Sequence, residues 1–263
     1  MDKESKEIKY TNFGFQIPPL LIKAGTIQKL GAADMPISTA VEFSTYEFIE
    51  ESFSLEVGDK LIATTDGLVE EKKNGQMYGL GRLKEIVKEN LEQPTELLLQ
   101  KIDTDFKDFL GTKEPQDDVS ILALNREEVI DKLEFEIASE YQFLDKAKEK
   151  FKTFVEKYYS ETEMLAIGFH EMLINAIEHG NLGQGKQLVE IMVVITSDYI
   201  KLKVDDTGKG FDWQDKLEKE LNYSDFSERG RGISITRKIW DKIIYNSPGN
   251  KVVLYQFFDD VST

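Results

Sequence analysis

The chain has 263 residues, enough for two modest domains, and a formal net charge of −16 from 49 acidic and 33 basic residues. That excess of carboxylates disfavours nucleic acid and anionic membranes as partners, and favours proteins and magnesium-bound nucleotides. Cysteine is absent, which excludes disulfides and thiolate chemistry; no apolar run reaches a membrane span and no signal-peptide core opens the sequence, so a cytoplasmic protein is expected.

In chain order, residues 8–126 predict a mixed domain. Ile8 to Asn12 is strand-like, and Phe13 to Ile22 is a turn with two prolines that re-enters an apolar strand. Gly58-Asp59 is a turn before Lys60 to Thr65, a β-branched run that predicts a buried strand ending in Asp66-Gly67. Helical spacing of apolar residues appears at Gly81 to Leu91 and at Thr95 to Leu110. The domain closes on Asp117-Asp118-Val119-Ser120 and the strand-like run to Leu124.

A short charged joint, residues 127–131, precedes a strand at Leu133 to Ala138 and a helix at Tyr141 to Tyr159. The aromatic stripe of that helix reads as core. Thr162 to His179 has apolar residues at helical spacing, and its polar face carries Glu171, Asn175 and His179, four residues apart in turn. Leu188–Thr196 and Tyr199–Val204 form a hairpin. The second strand runs into Asp206-Thr207-Gly208-Lys209-Gly210, where Asp206 can accept from an exocyclic amine while Gly208 and Gly210 keep Cβ atoms clear of a flat ligand. Gln214 to Phe226 is polar and aperiodic, which suits a lid. Gly230-Arg231-Gly232 leads into a helix at Ile233 to Lys242, and glycines at a helix start with an arginine meet the requirements of a polyphosphate. Strands at Ile243 and at Lys251 to Phe258 close the sheet, and Trp213 and Trp240 read as packing residues.

The ordered trio Glu171-x-x-x-Asn175, Asp206-x-Gly208-x-Gly210 and Gly230-Arg231-Gly232 resembles the nucleotide-binding boxes of the GHKL ATPase superfamily, over about residues 132–263. Its wording is most similar to the anti-sigma-factor serine kinases of bacterial partner switching. The resemblance implies Asn175 as ligand of the Mg²⁺ that accompanies ATP and Asp206 as adenine reader. It implies that Gly208, Gly210, Gly230, Arg231 and Gly232 line the nucleotide, and that Glu171 is the general base toward a protein serine. It further implies an anti-sigma antagonist or a sigma factor as partner, and a homodimer, since kinases of this type pair. A single amide oxygen is a reasonable protein ligand for Mg²⁺, which keeps phosphate oxygens and waters. His170 and His179 are the only histidines and both lie in this helix, which disfavours a histidine kinase; His179 reads as closing the helix end.

Val57 to Glu70 with Thr65-Asp66-Gly67, then Tyr78-Gly79 and Asp117-Asp118-Val119-Ser120, resembles the C-terminal half of the PPM serine/threonine phosphatases, in their sporulation and stress-response branch. The resemblance points to Asp66 and Asp117 as ligands of a Mg²⁺ or Mn²⁺ centre. The further aspartate motifs of that family, a Gly-Asp-Phe-Tyr-Asp-like strand and an Asp-x-x-Gly-His-Gly turn, do not occur before Asp66. A site missing most of its charged ligands should bind metal poorly, so residues 1–126 are expected to lack phosphatase activity alone. The expected fold class is α+β: an incomplete PPM-like β-sandwich with helices over 1–126, a linker over 127–131, and a GHKL-type mixed sheet covered by helices over 132–263. Three functions stay open: a serine protein kinase that also sequesters a sigma factor, a non-catalytic nucleotide-dependent binding module, and a PPM phosphatase regulated by its nucleotide-binding neighbour.

Overall fold

The computed structural model describes residues 7–12, 16–31, 49–180, 187–215 and 232–258. The chain divides into two compact units, residues 1–128 and 129–263. Among the described residues no helix is long and apolar enough to cross a membrane.

The first unit opens with β1 (Glu7–Tyr10), followed by the hairpin β2 (Leu20–Lys23) and β3 (Thr26–Lys29). The turn residues Ala24 and Gly25 both have positive φ, 46° and 74°, the twist a two-residue hairpin needs. Next come β4 (Glu51–Ser54), β5 (Lys60–Thr64) and the single helical turn α1 (Asp66–Val69). The small hairpin β6 (Lys72–Lys73) and β7 (Gln76–Met77) turns at Asn74-Gly75, again with positive φ at both residues. Helices α2 (Gly79–Glu89) and α3 (Thr95–Leu110) precede β8 (Ile121–Asn125).

A four-stranded antiparallel sheet in the order β3-β2-β5-β8 organises this unit, and β1 pairs with β4. Alternation along β5 sends Ile62 to the face that also holds Leu20 and Ile22, where Leu83, Val87, Leu98 and Ile102 of the helices complete one core. Leu98 and Ile102 have no exposed area, and each such burial contributes about 2 kcal/mol. Leu21, Phe53 and Leu55 form a smaller cluster, with Leu61 packed against it.

The second unit begins with β9 (Asp131–Ala138), a short 3₁₀ turn (Tyr141–Phe143) and α4 (Leu144–Val155). Ile130 already donates its N–H to the carbonyl of Ile195, so sheet pairing takes up the end of the charged joint. Then come α5 (Thr162–Asn175), a π-helical turn (Ala176–Gly180), and the hairpin β10 (Leu188–Ile195) and β11 (Tyr199–Asp206). Helix α6 (Gly232–Ile239) leads into β12 (Lys242–Tyr245) and β13 (Lys251–Phe257).

The sheet order is β12-β13-β11-β10-β9 and every pairing is antiparallel, where a mixed sheet was expected. The reason is connectivity: β10–β11 and β12–β13 are hairpins, and β13 returns antiparallel beside β11. Val189, Ile191, Ile200, Leu202, Val204 and Leu254 form one core with the apolar faces of α4, α5 and α6. Helices α5 and α6 approach closely at Gly168, where an added Cβ would lie 2.6 Å from Trp240 Nε1. Trp240 Nε1 donates to the carbonyl of Leu165 (3.3 Å), so a hydrogen bond also ties the end of α6 to α5.

Four helices differ in their bounds from expectation, α2 by two residues at each end (Gly79–Glu89). Helix α4 is preceded by a 3₁₀ turn and ends at Val155, α6 stops at Ile239 because Lys242 begins a strand, and α5 ends at Asn175. Beyond Asn175 the winding widens to a π turn, a form frequent at functional sites, so the expected four-residue stacking holds for Glu171 and Asn175 and not onward to residue 179.

Candidate functional site

Helix α5 sets Glu171 and Asn175 one turn apart. Alternation along β11 sends Asp205 to the outer face, where Lys203 and Lys251 each pair with it at 3.0 Å. The same alternation sends Asp206 inward, onto the face that carries Leu202 and Val204. Asn175 and Asp206 are both buried, at 7% and 6% exposure. They line one crevice with Met172, Val204, Phe211 and Tyr245. Its free volume is ≈ 10 Å³, room for about one water.

Burial pushes the Asp206 carboxyl up from 3.8 to about 6, against the N–H of Gly208, which donates to Oδ1 at 2.8 Å and favours the ionised form. The charge of Asp205 adds to the rise. A carboxylate held at the cost of burial in a crevice is a candidate functional group. The segment after Asp206 is fixed by the turn Asn246–Asn250. Gly210 (φ 76°) has no room for a Cβ, which would stand 1.8 Å from the carbonyl oxygen of Pro248. Trp213 stacks on Tyr245 at 5.3 Å, and Tyr245 reaches back to Met172 of α5 through its hydroxyl, 3.1 Å from Sδ.

Gly232 opens α6 against Glu171, whose Oε2 lies 2.5 Å from where a Cβ would be. The structure thus brings Glu171 and Gly232 together, and Asn175 and Asp206 together. Gly208 hydrogen-bonds Asp206, and Gly210 lies against the second turn. Gly230 and Arg231 lie outside the described residues, as do the side chain of His179 and nearly all of the expected lid.

In the first unit, Asp66 begins α1 where β5 ends, and the Asp117-Asp118 loop lies beside it. Thr65 Oγ1 donates to the carbonyl of Asp118 (3.0 Å) and accepts the N–H of Ser120 (3.0 Å). A Cβ on Gly67 would fall 2.5 Å from the Asp118 carbonyl oxygen. Motif reasoning passed over Glu71, whose carboxylate is 1% exposed. It accepts from Lys113 Nζ (2.6 Å) and from the N–H of Gln116 (2.8 Å), pinning the start of that loop. These contacts, and the N–H of Gln116 foremost, hold its pKa below the usual 4.5. Among the described residues no group of three or more His, Asp or Glu is placed to hold a metal ion.

Residues 1–127 match the family of Stage II sporulation protein E (SpoIIE), and residues 153–256 match the family of the histidine kinase-like ATPase domain. The chain joins a SpoIIE-type domain to a histidine kinase-like ATPase domain. It is similar to the RsbU and RsbW domains of Rv1364c from Mycobacterium tuberculosis, at 16% identity over 98% of this chain and 66% of that one, with a TM-score of 0.42. It is similar to the SiaA-PP2C domain of Pseudomonas aeruginosa, at 16% identity over 46% of this chain and 47% of that one, TM-score 0.38. The phosphatase domain of the cell fate determinant SpoIIE from Bacillus subtilis, with a fragment of its regulatory domain, matches at 20% identity over 44% and 33%, TM-score 0.35. The chain therefore spans between a third and two thirds of the length of these solved chains. No curated protein matches it.

Within the ATPase domain, a buried amide, a buried carboxylate and closely packed glycines are a donor set that fits a magnesium-bound nucleotide. Within the SpoIIE-type domain, the Asp66 turn and the Asp117-Asp118 loop lie side by side, packed at Gly67 and tied through Thr65.

Proposed function

We propose that the ATPase domain binds ATP with Mg²⁺ and that its occupancy controls the grip on a protein partner in sigma-factor regulation, in the cytoplasm. The observation that carries this reading is the placement of Asn175 and Asp206 on one crevice, from a helix and from a strand end. Asn175 would supply an amide oxygen to Mg²⁺, and Asp206 would accept from the purine amine. Gly208 and Gly210 leave the plane of the base clear. Gly230, Arg231 and Gly232 would meet the polyphosphate at the start of α6. When bound, Mg²⁺ neutralises charge on the phosphates. Glu171 would take the proton of a serine hydroxyl on an anti-sigma antagonist as that oxygen bonds the γ-phosphorus and the bond from γ-phosphorus to ADP breaks. A sigma factor is the partner held when no transfer occurs, and a homodimer belongs to the same proposal.

The test is transfer of labelled phosphate from Mg-ATP to an antagonist protein, comparing wild type with Glu171→Gln. Transfer by wild type and loss in the variant supports the kinase. Nucleotide binding with no transfer by either supports the second reading, a nucleotide-dependent binding module. The approach of Glu171 to Gly232 favours keeping that second reading, since it sets the carboxylate against the first residue of α6. For the SpoIIE-type domain the proposal is that it does not hydrolyse phosphoserine alone; the alternative is a serine phosphatase, as part of a longer chain, regulated by the nucleotide-binding domain.

A further inference from the structure

The turn between β12 and β13 has more hydrogen bonds than its own closure requires. Asn246 Oδ1 accepts the N–H groups of Gly249, Asn250 and Lys251 at 3.0, 3.1 and 3.1 Å, and the backbone bonds from Asn246 N–H to the Lys251 carbonyl and from Gly249 N–H to the Asn246 carbonyl complete the closure without the Asn250 side chain. Asn250 is then free to act across strands. Its backbone carbonyl accepts the N–H of Asp206 (2.9 Å), one step past the last register pair of β11 and β13, Asp205 with Lys251. Its Nδ2 donates to the carbonyl of Asp206 (3.1 Å) and reaches the carbonyl of Gly208 (3.4 Å). Its Oδ1 accepts from Asn246 Nδ2 (2.7 Å), which fixes the rotamer. One side chain therefore holds both carbonyls that flank the Asp206 turn, while the N–H of Gly208 closes on Asp206 Oδ1 at 2.8 Å.

Two glycines lock this arrangement. Gly210 leaves the room Pro248 occupies, and Gly249 (φ 80°) leaves the room for the Phe211 carbonyl, which a Cβ would approach to 2.2 Å. Trp213 adds a bond from Nε1 to the carbonyl of Asn246 (3.2 Å). The Asp206–Trp213 segment and the Asn246–Asn250 turn interlock, and Asn250 is the side chain at the carboxylate end.

We propose that Asn250 is a positioning residue that aims the Asp206 carboxylate at the exocyclic amine of an adenine ring, so that this distant turn sets base specificity. The proposal rests on the nucleotide reading above. Side chains that orient a recognition group through its backbone affect selectivity more than total affinity, because the lost contact is made by only one of two competing ligands. A residue that served the hairpin alone would weaken every nucleotide equally.

Two measurements on the full chain decide this. In the ligand-free protein, amide hydrogen exchange at Gly208 is compared between wild type and Asn250→Ala; release of the turn should speed it about tenfold. Affinities for Mg-ATP and Mg-ITP are then compared, ITP having a carbonyl where ATP has the amine. The wild type should prefer ATP, and Asn250→Ala should lose about tenfold in ATP affinity while ITP changes by less than about twofold. Asn250→Leu, which keeps the shape and the volume but removes the donor without adding charge, serves if the alanine variant does not fold and should lose ATP preference likewise. Unchanged Gly208 exchange, or an equal loss for both nucleotides, would overturn the proposal. If wild type bound neither nucleotide, the reading of the site would fall, and the exchange arm alone would still decide whether Asn250 holds Gly208.

Discussion

The carboxylate of Asp206 and the amide of Asn175 line the same crevice, one from the end of β11 and the other from the last residue of α5. A carboxylate on an inward position of a strand, between Val204 and the glycine turn, takes the place of a core residue. The consequences of that placement are measurable without any ligand.

Asp206 is raised to about 6 from an ordinary 3.8, chiefly by burial. The folded protein therefore binds more protons than the unfolded chain between these values, and this group's contribution to stability falls as pH rises from about 4 to about 6. Above that it is a constant cost of about 3 kcal/mol. Asp206→Asn removes the cost while keeping an oxygen for the Gly208 N–H. The melting temperature of the ligand-free variant should exceed that of wild type at pH 7.5, and the gap should narrow by pH 5. A variant less stable than wild type at pH 7.5 contradicts this.

Gly168→Ala places a methyl group 2.6 Å from Trp240 Nε1, and Trp240 is fixed by its bond to Leu165 and by burial at 2% exposure. Overpacking of this kind costs about 1–3 kcal/mol, more than the helix propensity that alanine returns. Urea unfolding should show a net loss of stability. A gain, as at an exposed helical glycine, would mean that the two helices can separate freely.

Glu71 works in the opposite sense to Asp206. Its pKa is lowered, first by the N–H of Gln116 and then by Lys113, so its stabilisation is present above pH 4.5 and is lost as pH falls through the lower folded value. Glu71→Gln should destabilise the first unit by about 1–3 kcal/mol near neutral pH, since a carboxamide cannot accept at both oxygens. The difference from wild type should shrink as pH is taken from 6 toward 4. Equal stability at neutral pH would show that the contacts to Lys113 and Gln116 contribute nothing.

Asp66 and Asp117 should not sustain hydrolysis in this chain, because charge count sets divalent affinity. Calorimetry with Mn²⁺ should give a dissociation constant weaker than about 10⁻⁴ M, and a phosphoserine peptide should release no phosphate. Mn²⁺-dependent release that Asp66→Ala abolishes would reverse this conclusion.

What the sequence disclosed was local. Glu171 and Asn175 at helical spacing, Asp206 at a strand end and the run Thr95–Leu110 each carry their pattern within a few residues, and α3 has those bounds. The π turn after Asn175 left no such trace, since apolar residues continue at α-helical spacing through Ile177. Asn250 and Glu71 were illegible for another reason. Each acts on a segment more than forty residues away, |i−j| 44 to Asp206 and 45 to Gln116, and no periodicity encodes a partner at that range. In the chain alone, Asn250 looks like one more turn residue and Glu71 like part of a charged run.

The most direct measurement is calorimetric titration of Mg-ATP into wild type and into Asp206→Asn, both shown to be folded. The account predicts saturable binding by wild type and at least a tenfold loss in the variant, despite its greater stability. No binding by wild type, or equal binding by both proteins, would contradict it.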